Sequence, residues 1–268
     1  MDDLTPIISA LVKANTKLEK RYIDFLFKKI ENSKSSKEKY YLRKIIKNSE
    51  IASKNKWPLC QDTGFVSFYI DYSPDDVDVI KIKKNCIEAV KKCYTDYKFR
   101  KSMIDINGYN SNNNQPAFFH FNPVEKIKSR VSFLIKGGGS ENVSGVLNLL
   151  PGLNQNDISE KIVEYFISVV NSKACPPYFL GVGIGGSIEK AVINSKKALI
   201  NYDFEKEDNF ENLILKKLNN TKTGLFGTGI GDTVLGVKVI LESSHIANNI
   251  VALSFNCHSL RRGVIEFE

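Results

Sequence analysis

The sequence predicts an α+β fold in which mixed β-sheets are flanked by helices, with residues 1–268 forming one domain. Three observations carry that prediction. Long segments place apolar residues at helical spacing, short segments are β-branched or aromatic, and no repeat or low-complexity stretch divides the chain.

From Leu4 to Ile30 the positions Ile7, Ile8, Leu11, Leu18, Tyr22, Phe25 and Phe27 predict helices, with Thr5 as N-cap before Pro6. The stretch Asn32–Ser36 breaks the pattern. A further helix runs from about Lys37 through Ala52 and stops before Trp57-Pro58. Phe65–Ile70 reads as a strand leaving the Cys60 loop through Gly64, so Cys60 is expected at a helix-to-strand junction. Asp75–Phe99 reads as a long amphipathic helix, Gly108–Gln115 as a polar loop, and Ala117–Phe121 and Arg130–Ile135 as strands. Helices follow over Asp157–Asn171, capped by Asp157, and over Ser187–Ile200 and Asn209–Leu218. Thr233–Leu241 and Ile250–Phe255 are the last predicted strands, the second delivering Cys257.

The chain is long enough to bury a large core, and 42% hydrophobic with 25% charged residues is an ordinary globular composition. No apolar run approaches the ~20 residues of a membrane span, and Met1-Asp2-Asp3 is unlike a signal peptide, so a cytoplasmic protein without a membrane partner is expected. The net charge of +8 comes from lysines spread over helical faces. That pattern is a solvated surface with a secondary pull on anionic substrates. Without a basic block interleaved with aromatics, nucleic acid is not expected as a partner.

Five cysteines without a secretion signal predict reduced thiols. Cys86 and Cys93 stand seven apart on one helix face and read as core residues. Cys60, Cys175 and Cys257 differ, each lying beside Pro, Gly, His or Arg at the end of an element. The glycines at 181, 183, 185 and 186 after Cys175 read as a turn that a ligand approaches closely. Neither that run nor Lys136–Asn142 has the spacing of a dinucleotide or P-loop fingerprint, whereas backbone N–H groups there suit a carboxylate. Three thiols far apart in sequence suit an iron-sulfur cluster with one iron left open. Zinc with His258 or His245 as an added ligand is the other choice.

Taken together, four motifs resemble the alpha subunit of the class I iron-sulfur fumarate hydratase and L-tartrate dehydratase family: Pro58-Leu59-Cys60-Gln61-Asp62-Thr63-Gly64, Lys136-Gly137-Gly138-Gly139-Ser140-Glu141-Asn142, Cys175-Pro176-Pro177-Tyr178 with Gly185-Gly186, and Cys257-His258 with Arg261-Arg262. They fall in family order and cover most of the chain. The resemblance implies a [4Fe-4S] hydro-lyase whose cluster is held by Cys60, Cys175 and Cys257, its open iron taking the hydroxyl and a carboxylate of malate or tartrate. It also implies that Gln61, Arg100 and Gly138 contact the C4 dicarboxylate and that Asp62 and His245 are catalytic. Arg261 and Arg262 read as surface or interface residues and take no part in the implied site.

Single-chain members of the family carry a second domain for which this chain, ending at Glu268, has no room. A separate beta subunit supplying the general base, in an assembly such as α2β2, is therefore expected. Fumarate and (S)-malate lead as substrates, followed by tartrate and oxaloacetate. The rival is an iron-sulfur electron-transfer or sensor protein with Cys86 or Cys93 as fourth ligand.

Overall fold

A computed structural model describes residues 4–75, 77–125, 128–170, 174–206 and 208–266. Asn171, the expected end of a helix, and Met1–Asp3 lie outside the described residues. The elements run α1 Thr5–Thr16, α2 Lys20–Asn32, α3 Ser36–Asn55, β1 Phe65–Tyr72, α4 Val79–Asp96, β2 Phe118–Pro123, β3 Arg130–Lys136, α5 Gly138–Asn142, β4 Gly145–Leu149, α6 Gln155–Val169, β5 Tyr178–Ile184, α7 Ile188–Ile200, α8 Asn209–Asn219, β6 Val234–Leu241, β7 Asn249–Cys257 and β8 Arg261–Glu266. The α+β class with mixed sheets is what the structure has. No described helix is long and apolar enough to cross a membrane.

Two compact units divide the chain: unit 1 is Met1–Glu19, Lys47–Gly138 and Arg261–Glu268, and unit 2 is Lys20–Ile46 and Gly139–Leu260. Unit 1 holds a four-stranded sheet in the order β2-β1-β3-β8, with β1 parallel to β2 and antiparallel to β3. Ile7, Leu11 and Ala14 of α1, and Ile82, Cys86, Ala89, Val90 and Cys93 of α4, close over Val66, Phe68, Val131 and Phe133 of that sheet. Cys86 and Cys93 are thus core residues, and burial pushes each thiol up to about 12. Asp78 caps α4 by accepting from Lys81 N, and the helix ends at Asp96, so Arg100 stands beyond its last turn.

Unit 2 holds the order β4-β7-β5-β6, with β5 parallel to β6 and antiparallel to β7. Here the structure corrects the predicted glycine-rich turn. Residues 178–184 are strand β5, buried along its whole length. Tyr178, Leu180 and Val182 face α6 and α8 through Ile162, Phe166, Ile214 and Leu218. The opposite face meets α7 so closely that a Cβ on Gly181 would lie 2.0 Å from Ser195 O, and one on Gly183 2.1 Å from Ala191 O. These two glycines admit a helix backbone, not a ligand. Only Gly185 and Gly186, with positive φ, form the turn.

Smaller differences have local causes. Asn154 rather than Asp157 caps α6, accepting from Asn156 N and Asp157 N. Leu4 precedes α1 without a side-chain cap, leaving Pro6 to set its start. Strands β4 and β8 were not expected. The arginines that open β8 are not surface residues: Arg261 is 1% exposed, and Arg262 donates to Glu19 at 2.7 Å.

Candidate functional site

In unit 1 the loop from α3 to β1 is fixed at both ends. Leu59 N donates to Asn15 O at 2.7 Å, Asn48 Nδ2 donates to Leu59 O at 2.8 Å, and the Leu59 side chain is buried. Beyond the cysteine, Tyr94 Oη donates to Thr63 O at 2.8 Å, and Asn114 Nδ2 donates to Gly64 O at 3.0 Å. Between these anchors lie Cys60, half-buried, Gln61, exposed, and Asp62, half-buried. The Cys60 thiol donates to Gln61 Oε1 at 3.6 Å. As expected, Cys60 stands at a helix-to-strand junction.

Glycine shapes the rest of this loop. Gly64 has φ +70°, and a Cβ there would lie 2.4 Å from Lys136 O, so the first motif can approach the end of β3 only without a side chain. Asp62 Oδ1 accepts from Gly64 N at 3.1 Å, and a Cβ on Gly137 would lie 2.6 Å from Asp62 Oδ2. The glycine at 137 therefore makes room for the Asp62 carboxylate. Gly138 is different: a Cβ added there meets nothing within 4 Å, which leaves its backbone open.

Thr63 Oγ1 donates to Arg100 O at 2.6 Å, and Asn114 Oδ1 accepts from Ser102 N at 2.8 Å. Unit 1 thus brings Cys60, Gln61, Asp62, Gly138 and Arg100 into one neighbourhood, with the Arg100 side chain exposed and without an ion-pair partner among the described residues. Asn114, buried at φ +59°, is the residue that sequence reasoning missed. Its left-handed backbone favours Asn, but nothing distinguishes it by type from its neighbours Asn110, Asn112 and Asn113.

In unit 2 the second and third cysteine motifs meet at one end of the sheet. Tyr178 pairs with Cys257 across β5 and β7, and Tyr178 Oη donates to Ala174 O at 2.8 Å, next to Cys175. Burial raises the Tyr178 hydroxyl, and the neighbouring Cys175 and Cys257 raise it further. Cys175 is exposed, and Cys257 is buried with its Sγ 3.1 Å from Ser259 Oγ. Tyr22 packs its ring on Phe204 and Phe179, and its buried Oη has no hydrogen-bond partner among the described residues. Burial raises that hydroxyl, with Cys257 and Tyr202 adding to the shift.

A second feature missed in the sequence is the 223–232 loop, which has positive φ at Gly224, Phe226, Gly227, Gly229 and Gly231. Phe226 N donates to Pro176 O at 3.1 Å, and its ring stands edge-on to His258 at 5.7 Å, so the loop touches both cysteine motifs of this unit. Four glycines in ten residues were its visible signal. His245 lies elsewhere. It sits exposed in the turn before β7, its Nδ1 accepting from Ala247 N, with roughly 25 Å of strand between it and Cys257.

All five cysteines are free of disulfides. Among the described residues no three His, Cys, Asp or Glu side chains are gathered as for a single metal ion. Thiolates on separate irons of a cubane stand further apart than ligands sharing one ion. The soft thiol donors of Cys60, half-buried, Cys175, exposed, and Cys257, buried near a Tyr22 hydroxyl that lacks a partner among the described residues, fit an iron-sulfur cluster in donor type.

The fumarate hydratase (Fumerase) family profile matches residues 5–266. A Methanocaldococcus jannaschii protein named as an L(+)-tartrate dehydratase subunit alpha is 30% identical over 258 residues, covering 91% of this chain and 89% of the relative. A Geobacillus stearothermophilus protein named as a class I fumarate hydratase is 29% identical over 269 residues, and the match spans 94% of this chain but 52% of that relative. The L(+)-tartrate dehydratase subunit alpha of Escherichia coli K12 is 23% identical over 276 residues, covering 99% of this chain and 91% of the relative. With its profile matched from the first helix to the last strand, the chain belongs to the fumarate hydratase (Fumerase) family.

Proposed function

We propose that this chain is the iron-sulfur subunit of a hydro-lyase that interconverts fumarate and (S)-malate, residues 1–268 acting as one catalytic domain beside a separate beta subunit. The observation that carries the reading is the unit 1 loop, where a cysteine, an amide and a carboxylate are fixed between buried anchors and tied to an exposed arginine. Cys60, Cys175 and Cys257 are the proposed ligands of a [4Fe-4S] cluster. Bound there, the cluster supplies a Lewis-acidic iron toward the substrate hydroxyl.

This chain's own residues have separate tasks. Arg100 offers a planar pair of donors to a substrate carboxylate, and the open backbone at Gly138 offers N–H groups to the same dianion. Gln61 orients the hydroxyl by hydrogen bonding. Asp62, held by Gly64 N and packed on Gly137, is the proposed proton-handling carboxylate of this chain. The partner subunit is proposed to supply the base that takes the C-3 proton, in an α2β2 assembly in the cytoplasm. His245 is proposed as a further catalytic residue, although it lies far along β7 from Cys257.

L-tartrate is the second substrate reading. It is favoured by coverage, since the two relatives named as tartrate dehydratase alpha subunits match over 89% and 91% of their lengths and the fumarate hydratase over 52%. An electron carrier with Cys86 or Cys93 as fourth ligand is disfavoured, because both thiols are buried in the α4 core. The test is anaerobic co-expression with the beta subunit, followed by iron and sulfide analysis and assays with fumarate and L-tartrate. About four irons and four sulfides per chain with turnover of either substrate supports the proposal; a cluster-free complex inactive on both sinks it.

A further inference from the structure

Arg261 opens strand β8 with its side chain wholly buried in unit 1. A buried guanidinium is costly unless a carboxylate or a full set of hydrogen bonds balances it. Neither is present among the described residues. Nη1 donates to Asn15 Oδ1 at 3.2 Å, Nε has no partner, and no carboxylate stands within salt-bridge reach. The neighbouring Arg262, by contrast, is paired with Glu19 through two of its nitrogens.

What surrounds Arg261 is the base of the Cys60 loop. Asn15, which takes the Arg261 hydrogen bond on its side chain, accepts from Leu59 N on its backbone. At the other end of the loop, Tyr94 anchors Thr63 O and lies within electrostatic reach of Arg261, whose positive charge pulls the phenol down against the larger effect of burial. The cation thus hydrogen-bonds the residue that supports Leu59 and acts electrostatically on the one that supports Thr63, at the two ends of the segment bearing Cys60, Gln61 and Asp62.

We propose that Arg261 is a positioning residue whose buried charge is left unbalanced in the unloaded chain and is balanced when the 59–64 loop carries an anionic thiolate-bound cluster and its dicarboxylate. The proposal rests on the functional reading above. It accounts for an arginine in a place where packing alone would favour an apolar residue of similar length.

The experiment compares the wild-type chain, Arg261→Met and Arg261→Lys, each co-expressed with the beta subunit under anaerobic conditions. Two quantities are read: the rate at which a ferrous chelator strips iron, and the melting temperature of the cluster-free protein. Arg261→Met is expected to lose iron about tenfold faster, the scale for supports of a metal ligand, while Arg261→Lys stays within about threefold of wild type. Cluster-free Arg261→Met is expected to melt no lower than wild type, and up to a few degrees higher, because an unbalanced buried charge is gone. Equal iron loss in all three proteins overturns the proposal. So does a fall of several degrees in cluster-free Arg261→Met, which marks a purely structural arginine. If the wild type takes up no iron and sulfide even with its partner, the functional reading fails and this inference goes with it.

Discussion

Two of the glycine-rich regions of the molecule look alike in sequence and do different work. In unit 1, Gly64 and Gly137 clear space at the mouth of a sheet, one for the Lys136 carbonyl and one for the Asp62 carboxylate, while Gly138 is left open. In unit 2, Gly181 and Gly183 lie inside a buried strand and let the backbone of α7 come within contact distance. Glycine density reports that something approaches the backbone closely. Whether that is a side chain, a helix or a ligand depends on what the fold brings there.

Substitution sharpens this contrast. Gly183→Val places a branched side chain where even a Cβ would overlap Ala191 O, and is expected to cost about 3 kcal/mol or more, enough to leave little folded protein in a denaturation curve. Gly137→Ala is expected to keep the fold but push the Asp62 carboxylate aside, lowering kcat/KM by about a hundredfold with a melting temperature within a few degrees of wild type. Equal loss of stability in both variants would erase the distinction. Arg100→Met, which has no packing role to lose, is expected to lower kcat/KM by about tenfold to a hundredfold through KM, read in steady-state kinetics with the beta subunit present.

The thiols divide along the same line, with a smaller effect. Cys86 and Cys93 are held protonated by burial up to about 12, against an ordinary thiol value of 9.0 in the unfolded chain. Because the folded values are raised, their contribution is complete below about pH 9 and is lost as pH rises toward about 12, where the unfolded chain gives up protons that the folded one keeps. Stability should therefore fall between about pH 9 and pH 11 in urea titrations, and the Cys86→Ala/Cys93→Ala double variant should show a shallower fall. His245→Ala is expected to change stability by less than about 0.5 kcal/mol, since its side chain is exposed and, among the described residues, bonds only within its own turn; steady-state rates measured alongside decide its proposed catalytic part.

Periodic helices were legible because each carries its own signal. The core stripe of α4, with Cys86 and Cys93 in it, can be read without knowing what covers it. Strand β5 could not be read that way: its outward residues at 181 and 183 are glycine because α7 packs there, which is a tertiary fact. Strand β8 was hidden by Arg261-Arg262-Gly263, whose charges suggest a surface. At the candidate site, the Cys60–Gly64 motif was visible from its Pro and Gly flanks, whereas Asn114 became distinct only through its bonds to Gly64 and Ser102. The same limit applies to Arg261, whose burial no local pattern announces.

The partition of the chain bears on how it is made. Unit 1 is assembled from three stretches and unit 2 from two, so the polypeptide passes between them at residues 19–20, 46–47, 138–139 and 260–261. Neither unit is a continuous fragment, and no single cut releases one whole. The sheet begun by β1 near residue 65 takes its outer strand β8 only after all of unit 2 has left the ribosome. For most of its synthesis the Cys60 loop therefore waits without the arginine at its base. The emergence of β8, rather than that of the first cysteine, sets the earliest moment at which that loop can be in its final form.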